Sequence, residues 1–159
     1  MEAEAAAAAV LPCCGSWAWA RGLAARRPLG AEELFAASDA VWLSLDQAGW
    51  QEAFDSHPRI GQGHAKAATA ASLKWSGGEQ RQVDSAADAV KAELAAANRE
   101  YEEKFGRIFI VCAAGKSAET MLGLLRARLA NDAATELREA VEQQRQITRL
   151  RLRKWLGFD

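Results

Sequence analysis

Val83-Asp84-Ser85-Ala86-Ala87-Asp88-Ala89-Val90-Lys91-Ala92-Glu93-Leu94-Ala95-Ala96-Ala97-Asn98-Arg99-Glu100-Tyr101 carries the clearest periodicity in the chain. Val83, Ala87, Val90, Leu94, Ala97 and Tyr101 recur at steps of three and four, which places them on one apolar face of a long helix. Arg81, Asp84, Asp88, Lys91 and Glu93 fall on its wet side. The same spacing extends outward. Leu34, Phe35, Val41, Trp42 and Leu45 form a helical stripe from Ala31, and Trp50 and Phe54 continue it after a break near Asp46. A short helix is expected from Lys66 to Leu73. Another, starting near Ser117, carries Met121, Leu122, Leu125 and Leu129. A last helix begins at Asn131-Asp132 and sets Leu137, Val141, Gln144, Ile147 and Leu150 along one side. Only Ile108 to Cys112 looks strand-like, and one short strand cannot satisfy its own ladder. The pattern predicts an all-α, compact, single-domain helical bundle with 108–112 as an extended or helical segment inside it.

Composition narrows the class. A chain of 159 residues, half of them apolar, is long enough for one domain with a real core. Lys and Arg total 20 against 21 Asp and Glu, so the basic excess of a nucleic-acid surface is missing. No apolar run approaches the ~20 residues needed to span a bilayer. Three cysteines without regular spacing suit reduced thiols rather than a disulfide framework. Two histidines with no Cys-His ligand spacing give no case for a metal site. The first residues stand apart. An Ala-rich run precedes Cys13, Cys14, Trp17 and Trp19, and Glu2 and Glu4 are wrong for a secretory signal. Residues 1–28 are expected to be a partly ordered extension whose tryptophans dock onto a domain of residues 29–159, with Pro28 and Gly30 marking the boundary.

Chemistry concentrates in three blocks. His57-Pro58-Arg59-Ile60-Gly61 presents an imidazole, whose unperturbed pKa is about 6.5, from a stiff loop beside a fixed cation suited to a carboxylate. Ser76-Gly77-Gly78-Glu79-Gln80 matches a helix capping box, with Ser76 as the cap and Glu79 reaching back. Phe105-Gly-Arg-Ile-Phe-Ile-Val-Cys-Ala-Ala-Gly-Lys-Ser-Ala-Glu-Thr-Met-Leu122 is an apolar run ending in Gly115-Lys116-Ser117. A phosphate loop would need a second glycine at position 110, which is Ile110. Ser117 fits better as a helix cap.

These blocks, in this order and spacing, resemble the 2-oxo-4-hydroxy-4-carboxy-5-ureidoimidazoline (OHCU) decarboxylase family over roughly Leu29 to Leu156. The resemblance implies a helical bundle with its site in a cleft, and decarboxylation of OHCU to S-allantoin and carbon dioxide in urate breakdown without a cofactor or metal. It implies His57 as general acid/base and Glu79 as a catalytic carboxylate orienting it. Pro58, Ser76, Gln80, Phe109, Ile110, Val111, Cys112, Ala113 and Arg151 become substrate-binding residues by the same likeness, with Arg149 as the reserve for Arg151. It further implies a homodimer, a peroxisomal or cytoplasmic setting, and functional coupling to a transthyretin-like 5-hydroxyisourate hydrolase. The last residues do not form a Ser-Lys-Leu type peroxisomal signal. No membrane or nucleic-acid partner is expected. Thr120 stands where an acidic residue is common, and Gly77-Gly78 makes the loop before Glu79 flexible. Two other classes remain open: a catalytically inactive helical protein-interaction domain using Trp17, Trp19 and the charged last helix, and a hydrolase using Cys112.

Overall fold

The computed structural model describes residues 1–60, 75, 78, 79, 81 and 87–158. All regular structure among them is helical. The helices are α1 (Ala3–Val10), a 3-10 turn (Leu11–Cys13), α2 (Trp17–Ala24), α3 (Ala31–Ser44), α4 (Gln47–Asp55), α5 (Asp88–Phe105), α6 (Ala118–Leu129) and α7 (Ala133–Trp155).

Local chemistry sets most of the boundaries. Asp46, Ser117 and Asp132 each accept a hydrogen bond from an orphan amide in the first turn of α4, α6 and α7, at Gly49, Thr120 and Thr135. Gly106, at φ 72°, closes α5 in the left-handed conformation that glycine adopts without strain. The expected break near Asp46 and the expected starts at Ser117 and Asp132 are therefore present. The long helix starts later than its periodicity suggests. Ala87 is its exposed N-cap, and the buried face is Leu94, Ala97, Asn98 and Tyr101. Val83 and the expected helix from Lys66 to Leu73 lie outside the described residues.

The core has two parts. One gathers α1 to α4 and much of α7 around Trp19, Trp42, Phe54 and Leu152. The other gathers α5 and α6 around Leu94, Tyr101, Met121 and Leu125. The segment after α5 runs between them. Ile110 and Cys112 belong to the first part, while Phe109, Val111 and Ala113 belong to the second. That alternation is the period of two of an extended chain with both faces buried, which explains why the run reads as continuously apolar.

A lone extended segment has no ladder, and three of its polar groups are met by side chains instead. Arg128 donates from Nη1 to the Ile110 carbonyl at 2.6 Å. Gln143 Oε1 accepts from the Cys112 amide at 2.8 Å, and Lys116 Nζ donates to the Cys112 carbonyl at 2.7 Å. Arg128 is itself locked by Glu136, with Nη2 at 2.6 Å and its guanidinium over the Phe109 ring. Asn131 and the Tyr101 hydroxyl also donate to the Glu136 carboxylate, which is fully buried.

The N-terminal residues depart most from expectation. Residues 1–28 form α1, the 3-10 turn and α2, and contribute Ala7, Cys13, Cys14, Trp19 and Ala20 to the core with no exposed surface. The expected boundary at Pro28 is not a boundary in the packing. The physical reason is burial: an indole and two thiols removed from water join the same apolar cluster as Trp42 and Phe54. Trp19 donates its indole N–H to Ser38, and Trp17 donates its amide to Glu52. Gly15, at φ 87°, lets this segment run against α4, since a Cβ there would lie 2.2 Å from Ser56 Oγ.

Replacing Glu136 with Ala should cost about 3–5 kcal/mol in urea unfolding, because the Arg128 cation is left buried without its partner. Gly15→Ala should cost about 1–3 kcal/mol through the strained backbone and the clash with Ser56.

Candidate active site

The end of α4 positions the first functional group. Ser56 caps α4, and the His57 amide still bonds the Phe54 carbonyl, so His57 leaves the helix from a fixed last turn. Pro58 follows, buried. His57, Pro58, Ile60, Glu79, Phe109, Ile110, Val111, Ala113 and Ile147 line one small cavity of about 20 Å³. That is room for about one water. Among the described residues, the amides of Ile110, Val111 and Ala113 have no protein acceptor, whereas that of Cys112 is taken by Gln143. The extended segment thus lines the cavity that His57 shares.

Arg151 lies behind Glu79. Its Nε is 3.0 Å from Glu79 Oε1, Nη2 is 3.3 Å from Oε2, and Nη1 donates to the Pro12 carbonyl at 3.3 Å. The residue is 1% exposed, which separates it from Arg149, half-exposed near Asp39 and over Phe35. Arg151, and not the reserve Arg149, is the arginine that pairs with Glu79.

The expectation that Glu79 orients His57 needs correcting. Glu79 is engaged by Arg151, and the His57 ring is held through Nε2 by Gln144 Oε1 at 2.6 Å. A carboxylate beside the ring would favour imidazolium. The surroundings do the reverse. Although part of the residue remains uncovered, the imidazole is desolvated, and burial, followed by the Arg151 charge, pushes it down to about 3 against the pull of the Gln144 hydrogen bond. His57 is neutral at pH 7.

Other expected site residues divide clearly. Cys112 is buried in the segment but does not line the cavity, and burial raises its thiol pKa. Burial likewise pushes Cys13 and Cys14 up to about 12, the opposite of an activated nucleophile. Arg59, suited on sequence to a carboxylate ligand, is spent on Glu102 in a bidentate pair at the surface. Ser76 and Gln80 lie outside the described residues, and so does the Ser76 half of the capping box. A larger cavity of about 500 Å³ opens among α1, α2, the start of α3 and the end of α7. Its described lining holds no histidine or carboxylate.

Gln144 is the partner that sequence reasoning passes over. It sits on the expected core side of the last helix, where a buried amide must be hydrogen-bonded, and that misplaced polarity is the signal. The buried face of α7 is in fact Glu136, Ala140, Gln144, Ile147, Thr148, Arg151 and Leu152, with Val141. Leu137 and Leu150, expected on it, are only partly buried.

Comparison with known proteins places the chain in a family. The family model described as OHCU decarboxylase matches residues 1–153. A uric acid degradation bifunctional protein TTL of Arabidopsis thaliana is 34% identical over 144 residues, covering 89% of this chain and 44% of that protein. A 2-oxo-4-hydroxy-4-carboxy-5-ureidoimidazoline decarboxylase of Amia calva is 35% identical over 114 residues, covering 69% of this chain and 62% of that protein. The chain therefore spans less than two thirds of either curated relative. A crystal structure of OHCU decarboxylase in the presence of (S)-allantoin superposes with a TM-score of 0.81 at 30% identity, covering 99% of both chains. A crystal structure of (S)-allantoin synthase shares the fold, with a TM-score of 0.73 at 19% identity over 51% of its length.

The depressed His57 pKa predicts a pH dependence. Between 6.5 and about 3 the unfolded chain binds a proton at this position that the folded chain does not, so stability falls as pH drops through that window and is unaffected above it. Urea midpoints from about pH 6.5 to 5, above the carboxylate range, should show a slope of up to about 1.4 kcal/mol per pH unit that His57→Asn removes.

Proposed function

The chain belongs to the OHCU decarboxylase family, and we propose that it is a carboxy-lyase converting OHCU to S-allantoin and carbon dioxide in urate breakdown. The observation that carries the reading is the convergence of neutral His57, Glu79 with its Arg151 partner, and the extended segment through Phe109, Ile110, Val111 and Ala113 on one small cavity.

The substrate defines the task. Its ring carbon bearing hydroxyl and carboxylate adjoins a carbon in a C=N bond. When the bond to the carboxylate breaks, the electron pair moves into that C=N system and carbon dioxide leaves. The ring nitrogen of the former C=N bond takes a proton from solvent, the hydroxyl proton is lost as the carbonyl of allantoin forms, and one proton is added at the neighbouring ureido-bearing carbon. The substrate supplies its own electron sink. The protein has to hold the carboxylate out of the ring plane, stabilise the anion and move a proton to one face.

Each task has a candidate on the site wall. A neutral imidazole takes the hydroxyl proton, as His57 is placed and held to do, and returns a proton to the developing carbanion. Arg151 supplies the fixed positive charge for the carboxylate, and Glu79 holds that guanidinium in place through two hydrogen bonds. Amides of the segment with no acceptor among the described residues act as donors toward oxygen or nitrogen on which charge accumulates, in a site from which water is largely excluded. Because the cavity has room for about one water, substrate binding requires Glu79, Ile147 or their neighbours to part. One rigid wall then delivers the proton to one face, consistent with a single enantiomer.

The coupling to a transthyretin-like 5-hydroxyisourate hydrolase is part of this proposal, supported by the bifunctional relative, of which this chain spans 44%. The interaction-domain alternative loses its main motive, since Trp19 is fully buried and Trp17 is packed against the core.

Freshly made OHCU, followed by circular dichroism, should decay faster with the protein than without it and give the S enantiomer of allantoin. His57→Asn should lower kcat by about 10² to 10⁴ while the helical spectrum is retained. A folded His57→Asn protein with undiminished turnover would remove His57 from the mechanism.

A further inference from the structure

His57 is one end of a buried polar chain that runs along α7. Its Nε2 lies 2.6 Å from Gln144 Oε1. The amide nitrogen of Gln144 donates to Thr148 Oγ1 at 2.9 Å, one turn along α7. The sulfur of Cys14 lies beside the Thr148 hydroxyl. Gln144 and Cys14 have no exposed surface and Thr148 is buried, so water cannot stand in for any member.

The chain has a direction. Thr148 accepts at Oγ1 from the Gln144 amide nitrogen. An amide has two donors at nitrogen and only acceptor capacity at oxygen. Once Gln144 turns its nitrogen to Thr148, its oxygen faces the imidazole, and a carbonyl oxygen can only receive a hydrogen. The His57 nitrogen it meets must carry the proton. Among the described residues no group bonds the other ring nitrogen, Nδ1.

We propose that Gln144 is a positioning residue that locks His57 in the Nε2–H tautomer, leaving the Nδ1 lone pair as the proton acceptor in the reaction. The tautomer follows from the geometry alone, and its catalytic consequence rests on the decarboxylase reading. The choice of an amide has a chemical reason. A glutamate at this position would also accept from Nε2–H, but its charge would draw the ring toward imidazolium and spend the lone pair. Glutamine sets the tautomer without adding charge. Thr148 keeps the amide from rotating.

Nitrogen-15 NMR of histidine-labelled protein tests this directly. The chain has two histidines, so a His64→Gln background leaves the signals of His57 alone. The wild-type ring should show a pyrrole-like Nε2 and a pyridine-like Nδ1 at neutral pH. Gln144→Leu should lose that preference and lower kcat by about 10²-fold with little change in KM. Gln144→Glu should retain the Nε2–H form while His57 titrates at a higher pH. Thr148→Val, which leaves the glutamine in place but releases its amide, should weaken the preference partly. An Nδ1–H ring in the wild-type spectrum overturns the lock, and so does an unchanged tautomer in folded Gln144→Leu. If Gln144→Leu does not fold, the wild-type spectrum and Thr148→Val decide. Absence of decarboxylation by a wild-type protein with the expected spectrum overturns the function while leaving the lock standing.

Discussion

The hydrogen bond from Arg128 to the Ile110 carbonyl is the contact on which the architecture turns. A lone extended segment between two helical clusters is an expensive arrangement, since each face is dry and no sister strand offers donors or acceptors. Here part of the cost is met by three long side chains. Arg128 comes from α6, Gln143 from α7, and Lys116 from the turn just beyond the segment. Glu136 holds Arg128 in turn, and Tyr101 and Asn131 complete that carboxylate. A buried ion pair is weak evidence for stability, but it is strong at defining one geometry when every polar atom is satisfied. The geometry defined here is the backbone that floors the candidate site.

The same helix that supplies Glu136 and Gln143 supplies the rest of the site's supports. Glu136, Gln144, Thr148 and Arg151 follow one another along the buried face of α7. One end of this helix fixes the extended segment, its middle holds His57, and its last turns pair with Glu79 and the Pro12 carbonyl. The function and the core share one surface. A buried helix face this polar is stable because each group meets a partner from a different part of the chain, at separations of up to 139 residues.

Much of this was legible locally. Periodicity marks α3, α6 and α7, and capping chemistry at Asp46, Ser117 and Asp132 marks three helix starts, because a cap is made by residues three apart. The apolar run 108–112 was identifiable as the odd element for the same local reason. His57, Glu79 and Arg151 were identifiable through their motifs. What pairs with them was not. The motifs suggest Glu79 beside His57, and the folded chain places Gln144 there and gives Glu79 to Arg151. The N-terminal residues mislead in a related way: an Ala-rich, weakly patterned stretch has little local signal, yet it holds Cys14 and Trp19 at zero exposure.

By itself the sequence determined the helical class, several helix boundaries and the chemical groups available for the site, since these depend on side-chain identity and on neighbours a few residues away. Only the tertiary structure decided which partner each group receives and what charge state follows. His57 is the clearest case. Its identity promises a group titrating near 6.5, but burial and the Arg151 charge bring it to about 3. Desolvation and long-range Coulomb forces depend on what surrounds a group in space, which local spacing along the chain does not specify.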